Sequence, residues 1–358
     1  MKKKRALVAM SGGVDSSMAA AILKDTGYEV IGATMKIWSK EYCGKHKEKS
    51  CCSLQDIDDA KKVCDNLGIR HYVLNFEDVF RKEVIDYFTR EYLQGRTPNP
   101  CILCNKKIKF GTFLKRAEEL GCDFISTGHY ARIKDNGSLR LRESVDKSKD
   151  QSYVLFSLTR DQIKKTLFPV GGLWKEEVKA SAKKLGLNVY KKKESQEICF
   201  VFDGKYPDFI KEYCGIKNKK GNIVDSGGRV LGEHNGFWNF TIGQRKGLGI
   251  AHKRPLYVIK IDAEKNTVFV GDSSEVRKKR FIVKDINWFS EKERPSFEAD
   301  VKIRYNHKKA KASLKEIEGN RIDVEFVDAQ EAITPGQAAV FYDGEYVIGG
   351  GWIESVRG

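Results

Sequence analysis

The chain has no apolar stretch long enough to cross a bilayer, and no secretory apolar core follows Met1-Lys2-Lys3-Lys4-Arg5. A cytoplasmic protein with no membrane partner is expected. Nine cysteines, an odd number scattered over 358 residues, do not resemble a secreted disulfide scaffold, so reduced thiols with a few in chemical use are expected. Acidic residues are in deficit, 49 Asp plus Glu against 65 Lys plus Arg, which leaves a net charge of +16. That balance favours a polyanionic partner, although it also suits solubility alone. What is present is enough for a globular enzyme: 41% hydrophobic residues and a length that suggests two or three domains.

The most informative stretch is Ser11-Gly12-Gly13-Val14-Asp15-Ser16-Ser17, between the apolar run Ala6 to Met10 and the helical pattern Met18 to Lys24. A strand, a turn rich in glycine and hydroxyls, and a helix start bring backbone N–H groups together where a pyrophosphate can sit. Gly12 and Gly13 admit a tight turn, and Ser11, Ser16 and Ser17 add hydroxyl donors. Asp15 repels phosphate, so a structural role or a place beside Mg²⁺ is expected for it. The loop lacks the Gly-Lys-Ser/Thr ending of a Walker loop and the spacing of a dinucleotide fingerprint. It resembles the loop of enzymes that split ATP into AMP and pyrophosphate to activate a carbonyl. The plain alternative is an ordinary helix cap.

Apolar runs at 6–10, 29–35, 71–75 and 124–126 alternate with helical patterns at 54–67 and 106–120, which predicts an α/β sheet covered on both faces over residues 1–203. Ligands of such sheets lie beyond the carboxyl ends of the strands. After Asp203 glycines become frequent, and 204–275 reads as a small β-containing central domain. Strand-like runs at 280–288, 297–303, 310–317, 321–326, 338–342 and 345–353 predict an antiparallel barrel over 276–358, with no internal repeat.

Arg96-Thr97-Pro98-Asn99-Pro100-Cys101-Ile102-Leu103-Cys104-Asn105 is the second informative stretch. Cys101 and Cys104 are spaced to face one another across a turn, and Cys199, in Ser195-Gln196-Glu197-Ile198-Cys199-Phe200, is a distant third thiol. Taken alone, the pair equally suits a structural zinc half-site or two inert thiols. Cys43, Cys51, Cys52 and Cys64 with His46 offer a further metal set, but their irregular spacing reads better as ordinary thiols.

Taken in order, the loop at 11–17, Arg96 to Pro100, Cys104-Asn105, Thr127-Gly128-His129-Tyr130, Lys149-Asp150-Gln151-Ser152-Tyr153, the motif at 195–200 and Thr241-Ile242-Gly243-Gln244-Arg245-Lys246-Gly247-Leu248-Gly249 resemble the tRNA-specific 2-thiouridylase family. That resemblance implies an adenine-nucleotide α-hydrolase-like parallel sheet and ATP-dependent replacement of the C2 oxygen of uridine 34 by persulfide sulfur. It implies Cys199 as the persulfide carrier and Cys104 as its partner, with ATP held by Ala9, Met10, Ser11, Gly12, Gly13, Val14, Asp15, Ser16, Met35 and Gly128. It assigns tRNA to Asn99, Pro100, Cys101, His129, Lys149, Asp150, Gln151, Arg304, Tyr305 and Gln337. The expected partners are Lys, Glu and Gln tRNAs and a persulfide donor such as a cysteine desulfurase or a relay protein. Cys101 stands where many members have Asp, so acid/base work by that carboxylate does not carry over. Three thiolates from Cys101, Cys104 and Cys199 also suit a [4Fe-4S] cluster with one open iron, as an alternative to a persulfide and disulfide cycle. Between Arg277 and Lys311, 12 basic against five acidic residues favour the C-terminal domain as a tRNA surface. Competing classes are another ATP-pyrophosphatase, such as an amidotransferase or argininosuccinate-forming ligase, and a zinc-containing nucleic-acid-binding module.

Overall fold

A computed structural model describes residues 3–37, 54–135, 139–192, 198–201, 205–289 and 296–357. The chain divides into two compact units, each assembled from separate stretches: 1–84, 101–204 and 345–348 in the first, 85–100, 205–344 and 349–358 in the second.

The first unit is built on strands β1 (Arg5–Ala9), β2 (Glu29–Lys36), β3 (Arg70–Asn75) and β4 (Phe124–Ser126). A hairpin of β5 (Ala131–Asp135) and β6 (Leu139–Glu143) follows, then the short β7 (Thr166–Leu167). The parallel sheet runs β3-β2-β1-β4-β7. Central β1 is apolar because both its faces are covered, and Ala6, Leu7 and Val8 are fully buried. Each large aliphatic side chain hidden in this way contributes about 1.5–3 kcal/mol. The helix Val14–Asp25 covers the sheet with Met18, Ala19, Ala20 and Leu23. It ends at Thr26, and Gly27, at φ +91°, takes the left-handed turn that follows. Strand order reverses direction at β1, with β2 on one side and β4 on the other. Loops leaving β1 and β4 therefore meet over a crevice at the carboxyl edge.

The second unit holds the four strands β8 (Gly221–Asp225), β9 (Val230–His234), β10 (Tyr257–Asp262) and β11 (Thr267–Gly271), ordered β10-β11-β8-β9. It also holds the strands β12 (Arg277–Trp288), β13 (Ser296–Lys302), β14 (Ala310–Ile317), β15 (Arg321–Glu331), β16 (Ala338–Asp343) and most of β17 (Tyr346–Arg357). These run β12-β15-β14-β13-β16-β17, and pairing of β12 with β17 closes the expected antiparallel barrel. Phe281, Val301, Leu314, Val324 and Phe341 fill it, all of them fully buried.

Candidate active site

The turn after β1 is shaped by its own hydroxyls. Ser16 Oγ and Ser17 Oγ donate to the Gly13 carbonyl at 3.0 and 2.9 Å, and the Ser11 amide donates to Ser16 Oγ at 3.2 Å. Gly13 occupies the N-cap of the helix Val14–Asp25, and no side chain caps it. The helix start is thus left as an anion-accepting end, which is not how an ordinary Ser or Asp cap is built. Gly12 has φ +70°, and a Cβ there would stand 2.4 Å from the Asp56 carbonyl oxygen. Gly128, leaving β4, lies so close that its Cβ would be 2.6 Å from Asp15 C and Ser16 N. The two loops therefore meet at the crevice through bare backbone. Ala9 and Met10 close the end of β1, while Met35 stands half-buried near the end of β2.

Both oxygens of Asp15 accept from Lys175 Nζ at 2.8 Å, and Oδ1 also accepts from Tyr130 Oη at 2.8 Å. Lys175 is 3% exposed and sits at the start of the helix Lys175–Lys184, its own amide bonded to Asp146 Oδ2 at 3.1 Å. Of the two places expected for Asp15, the structural one is visible here: its carboxylate binds a buried ammonium and a phenol. Among the described residues, no three His, Cys, Asp or Glu side chains group as metal ligands. On the other flank of the loop, Lys192 Nζ donates to the Gly12 carbonyl at 3.3 Å and to Asp59 at 2.8 Å, and it also contacts Asp56. Sequence reasoning missed Lys175, Lys192 and Asp56. The first carries no local signal, and the second reads as one of a run of surface lysines.

His129 is 7% exposed, with Nδ1 2.7 Å from Thr127 Oγ1 and its ring against Phe110 and Phe168. Burial, with the Lys109 charge adding to it, pushes the imidazole well below its usual range, so it is neutral at pH 7. Asp150 is also buried and accepts from the Ser144 amide at 2.9 Å and Ser152 Oγ at 2.6 Å. Burial raises its pKa in spite of those bonds. Gln151 exchanges two bonds with the Tyr130 backbone: its Oε1 accepts from the Tyr130 amide and its amide donates to the Tyr130 carbonyl, at 2.9 and 2.8 Å. His129, Asp150 and Gln151 therefore hold loops in place, and Lys149 is half-buried beside them.

Cys101 is exposed and Cys104 half-buried; the first lies in the helical turn Pro100–Leu103, the second opens the π-helical segment Cys104–Thr112. Cys199 is half-buried in a turn closed by the Val201 amide on the Ile198 carbonyl at 2.9 Å. Next to it Phe200 packs edge-on against Phe80, ring centres 6.0 Å apart. Phe80 ends the helix Glu77–Phe80, which also packs on the Cys104–Thr112 segment. One short helix thus anchors both cysteine-bearing segments. Residues 193–197, in the first half of the Cys199 motif, lie outside the described residues. Among the described residues, Cys101, Cys104 and Cys199 do not assemble as a group of three metal ligands, which disfavours the cluster alternative. Of the other candidate set, Cys43, His46, Cys51 and Cys52 lie outside the described residues. Burial pushes the Cys64 thiol up to about 12, which leaves it inert.

In the second unit, Arg304 and Gln337 line one cavity of about 450 Å³ with Thr97, Thr241, Ile242 and Gly243. Gln337 Nε2 donates to the Thr97 carbonyl at 2.8 Å, and the Thr97 amide donates to the Pro335 carbonyl at 2.9 Å. Arg304 donates to the Glu331 carbonyl at 2.8 Å, and Tyr305 beside it is exposed. Asn99 is half-buried and Pro100 buried, at the end of the same Arg96 to Pro100 stretch.

A parallel sheet of this order, with an uncapped glycine and serine turn at its direction switch and thiols on neighbouring segments, defines a nucleotide-dependent α/β enzyme of the ATP-pyrophosphatase type. Residues 4–203 match a family model described as a tRNA methyl transferase HUP domain, 207–272 a tRNA methyl transferase PRC-barrel domain, and 278–353 an aminomethyltransferase beta-barrel domain. The tRNA-specific 2-thiouridylase MnmA of Geotalea uraniireducens is 51% identical over 358 residues, covering 99% of this chain and 96% of that one. The enzyme of the same name from Acetivibrio thermocellus is 51% identical over 359 residues, covering 99% of this chain and 100% of its own length. The chain belongs to the tRNA-specific 2-thiouridylase family.

Proposed function

We propose that this protein carries out ATP-dependent 2-thiolation of uridine 34 in tRNA, taking Lys, Glu and Gln tRNAs and sulfur from a persulfide donor. The observation that carries the reading is the pairing of an uncapped nucleotide turn with Cys104 and Cys199 on segments anchored by one helix. A carbonyl oxygen leaves poorly. Attack of the uridine C2 oxygen on the α-phosphate of ATP expels pyrophosphate and converts that oxygen into part of an AMP leaving group. The Ser11 to Ser16 turn and the helix start hold the phosphates. The terminal sulfur of a Cys199 persulfide then bonds to C2 and AMP departs. Cys104 thiolate attacks Cys199 Sγ, the sulfur–sulfur bond to the base breaks, and 2-thiouridine leaves with a Cys104–Cys199 disulfide. An external thiol reduces that disulfide before the next turn. Lys149, Arg304, Tyr305, Gln337 and the Asn99 to Cys101 stretch supply tRNA contacts in this reading, with His129, Asp150 and Gln151 setting the loops behind them.

The test is incubation with ATP, a persulfide donor and total tRNA, followed by nucleoside mass analysis and mapping of the position. AMP formed only with tRNA, and 2-thiouridine at position 34, is the expected result. AMP formation indifferent to tRNA, with no thiolated nucleoside, overturns it in favour of another ATP-pyrophosphatase.

A further inference from the structure

The β5–β6 hairpin is paired so that Arg132 faces Arg142 and Lys134 faces Arg140 directly across the two strands. Alternation along a strand puts these four cations on one face of the ribbon, spaced roughly 6–7 Å along each strand. The other face turns inward, where Ala131 and Leu141 are fully buried and Glu143 nearly so. Like charges set directly opposite one another destabilise a ladder. Glu345 relieves one pair, bonded to Arg142 Nε at 2.7 Å and lying 3.4 Å from Arg132. At the Lys134 and Arg140 pair both side chains are exposed, and Arg140 lies 5.7 Å above the Tyr346 ring. Beside the ribbon is a cavity of about 460 Å³, lined by Arg132, Lys134, Arg142, Lys164 and Phe168. Among the described residues, no carboxylate lines it.

We propose that the outward face of this hairpin and the cavity beside it form a docking surface for the phosphate backbone of the RNA substrate. The inference rests on the reading of this protein as a tRNA-thiolating enzyme. Lys134 and Arg140, at the exposed pair that Glu345 does not reach, give point contacts on phosphates, and Arg132 and Arg142 beside them share the single carboxylate of Glu345, which leaves the ribbon's outer face net positive. Such contacts fix where the RNA lies without reading its bases. An acidic protein bringing sulfur would suit the same charge. RNA is favoured because the cations run in two short rows along adjacent strands, which suits a linear polyanion.

The experiment compares the full-length protein with its Lys134→Ala/Arg140→Ala variant. Both residues are exposed, and neither belongs to the nucleotide loop or the cysteine segments. Affinity for total tRNA is measured across a salt series, beside ATP binding in the absence of tRNA. The expected result is a loss of roughly tenfold in tRNA affinity near 150 mM salt, a salt slope shallower by about 1–2, and unchanged ATP binding. Equal affinity and slope in the two proteins overturns the proposal. So does intact tRNA binding with thiolation slowed only when sulfur comes from a protein persulfide and not from a low-molecular-weight persulfide, which would assign the face to that protein donor. If the unaltered protein shows no salt-dependent tRNA binding, the functional reading fails first and the surface fails with it; a defect confined to the variant concerns the surface alone.

Discussion

The two units place their charges in opposite ways. In the parallel-sheet unit, charge gathers at the strand ends: Lys175, 3% exposed, holds Asp15 at the nucleotide turn, and the partly exposed Lys192 binds Asp59 and the Gly12 carbonyl on its other flank. In the barrel, the interior is apolar and charged pairs flank the strands, as where the half-exposed Arg280 covers the buried carboxylate of Asp323 at 3.0 and 3.1 Å. An open parallel sheet leaves a crevice at its strand ends, where enclosed charges can be aimed at a ligand; a closed antiparallel barrel uses its strand edges on itself. The proposed chemistry therefore draws on the first unit, and the second offers side chains at its loops and outer walls.

The sharpest way to test that division is at the cysteines. Cys199→Ala should lower 2-thiouridine formation to background, a loss of 10³-fold or more by order of magnitude, because the sulfur carrier itself is gone. Binding of tRNA and of ATP should remain. Thiolation at the unaltered rate would remove Cys199 from the reaction and move the chemistry away from this pair.

Next in size is the enclosed ion pair. Lys175→Met leaves the Asp15 carboxylate, 29% exposed as a side chain, without its main counter-charge. Breaking a buried pair on one side costs about 3–5 kcal/mol, and the partial exposure of Asp15 places this one at or below the lower end. The double variant Asp15→Asn/Lys175→Met should recover much of that loss in denaturant unfolding, since neither charge then remains. Additive losses in the double variant would mean that the two residues act independently.

In the barrel unit the expected effect is smaller and of another kind. Arg304→Ala removes one cation from the wall of its cavity, so tRNA affinity should fall a few-fold and the salt slope by about 1, with ATP binding unchanged. A change in ATP binding instead would blur the division between the units.

The same contrast decides what could be read from sequence. Strands β1, β2 and β4 were legible as short apolar runs, since burial on both faces leaves nothing else to place there. The barrel strands were legible by their spacing and the turns between them. The β5–β6 hairpin escaped notice because every second residue on its outer face is Arg or Lys, which hides Ile133 and Leu141 in a run resembling a charged loop. The nucleotide turn was visible through Gly12, whose positive φ and closeness to Asp56 demand glycine. Lys175 was not, because its 160-residue separation from Asp15 is closed only by the fold. Buried His129 and Asp150 show the limit of motif reading, which marks residues without saying whether they face solvent or the interior.

The smallest effect concerns Glu345, grouped with the first unit and immediately before β17. The Lys147 ammonium, 2.6 Å away, and then the Arg142 guanidinium hold its carboxyl down at about 2, against an ordinary 4.5. A carboxylate whose pKa is lower in the folded than in the unfolded chain favours folding at pH values above 4.5. That contribution declines as pH falls from there and is gone below about 2. Because the side chain is 36% exposed, solvent screens the cluster and the stabilisation is modest. Glu345→Gln should therefore unfold at slightly lower denaturant concentration than the unaltered protein at pH 7. The difference should narrow through pH 4 and 3, and added salt should narrow it at pH 7 as well. A difference that stays constant from pH 7 to pH 2 would show that Glu345 acts through packing and not through its charge.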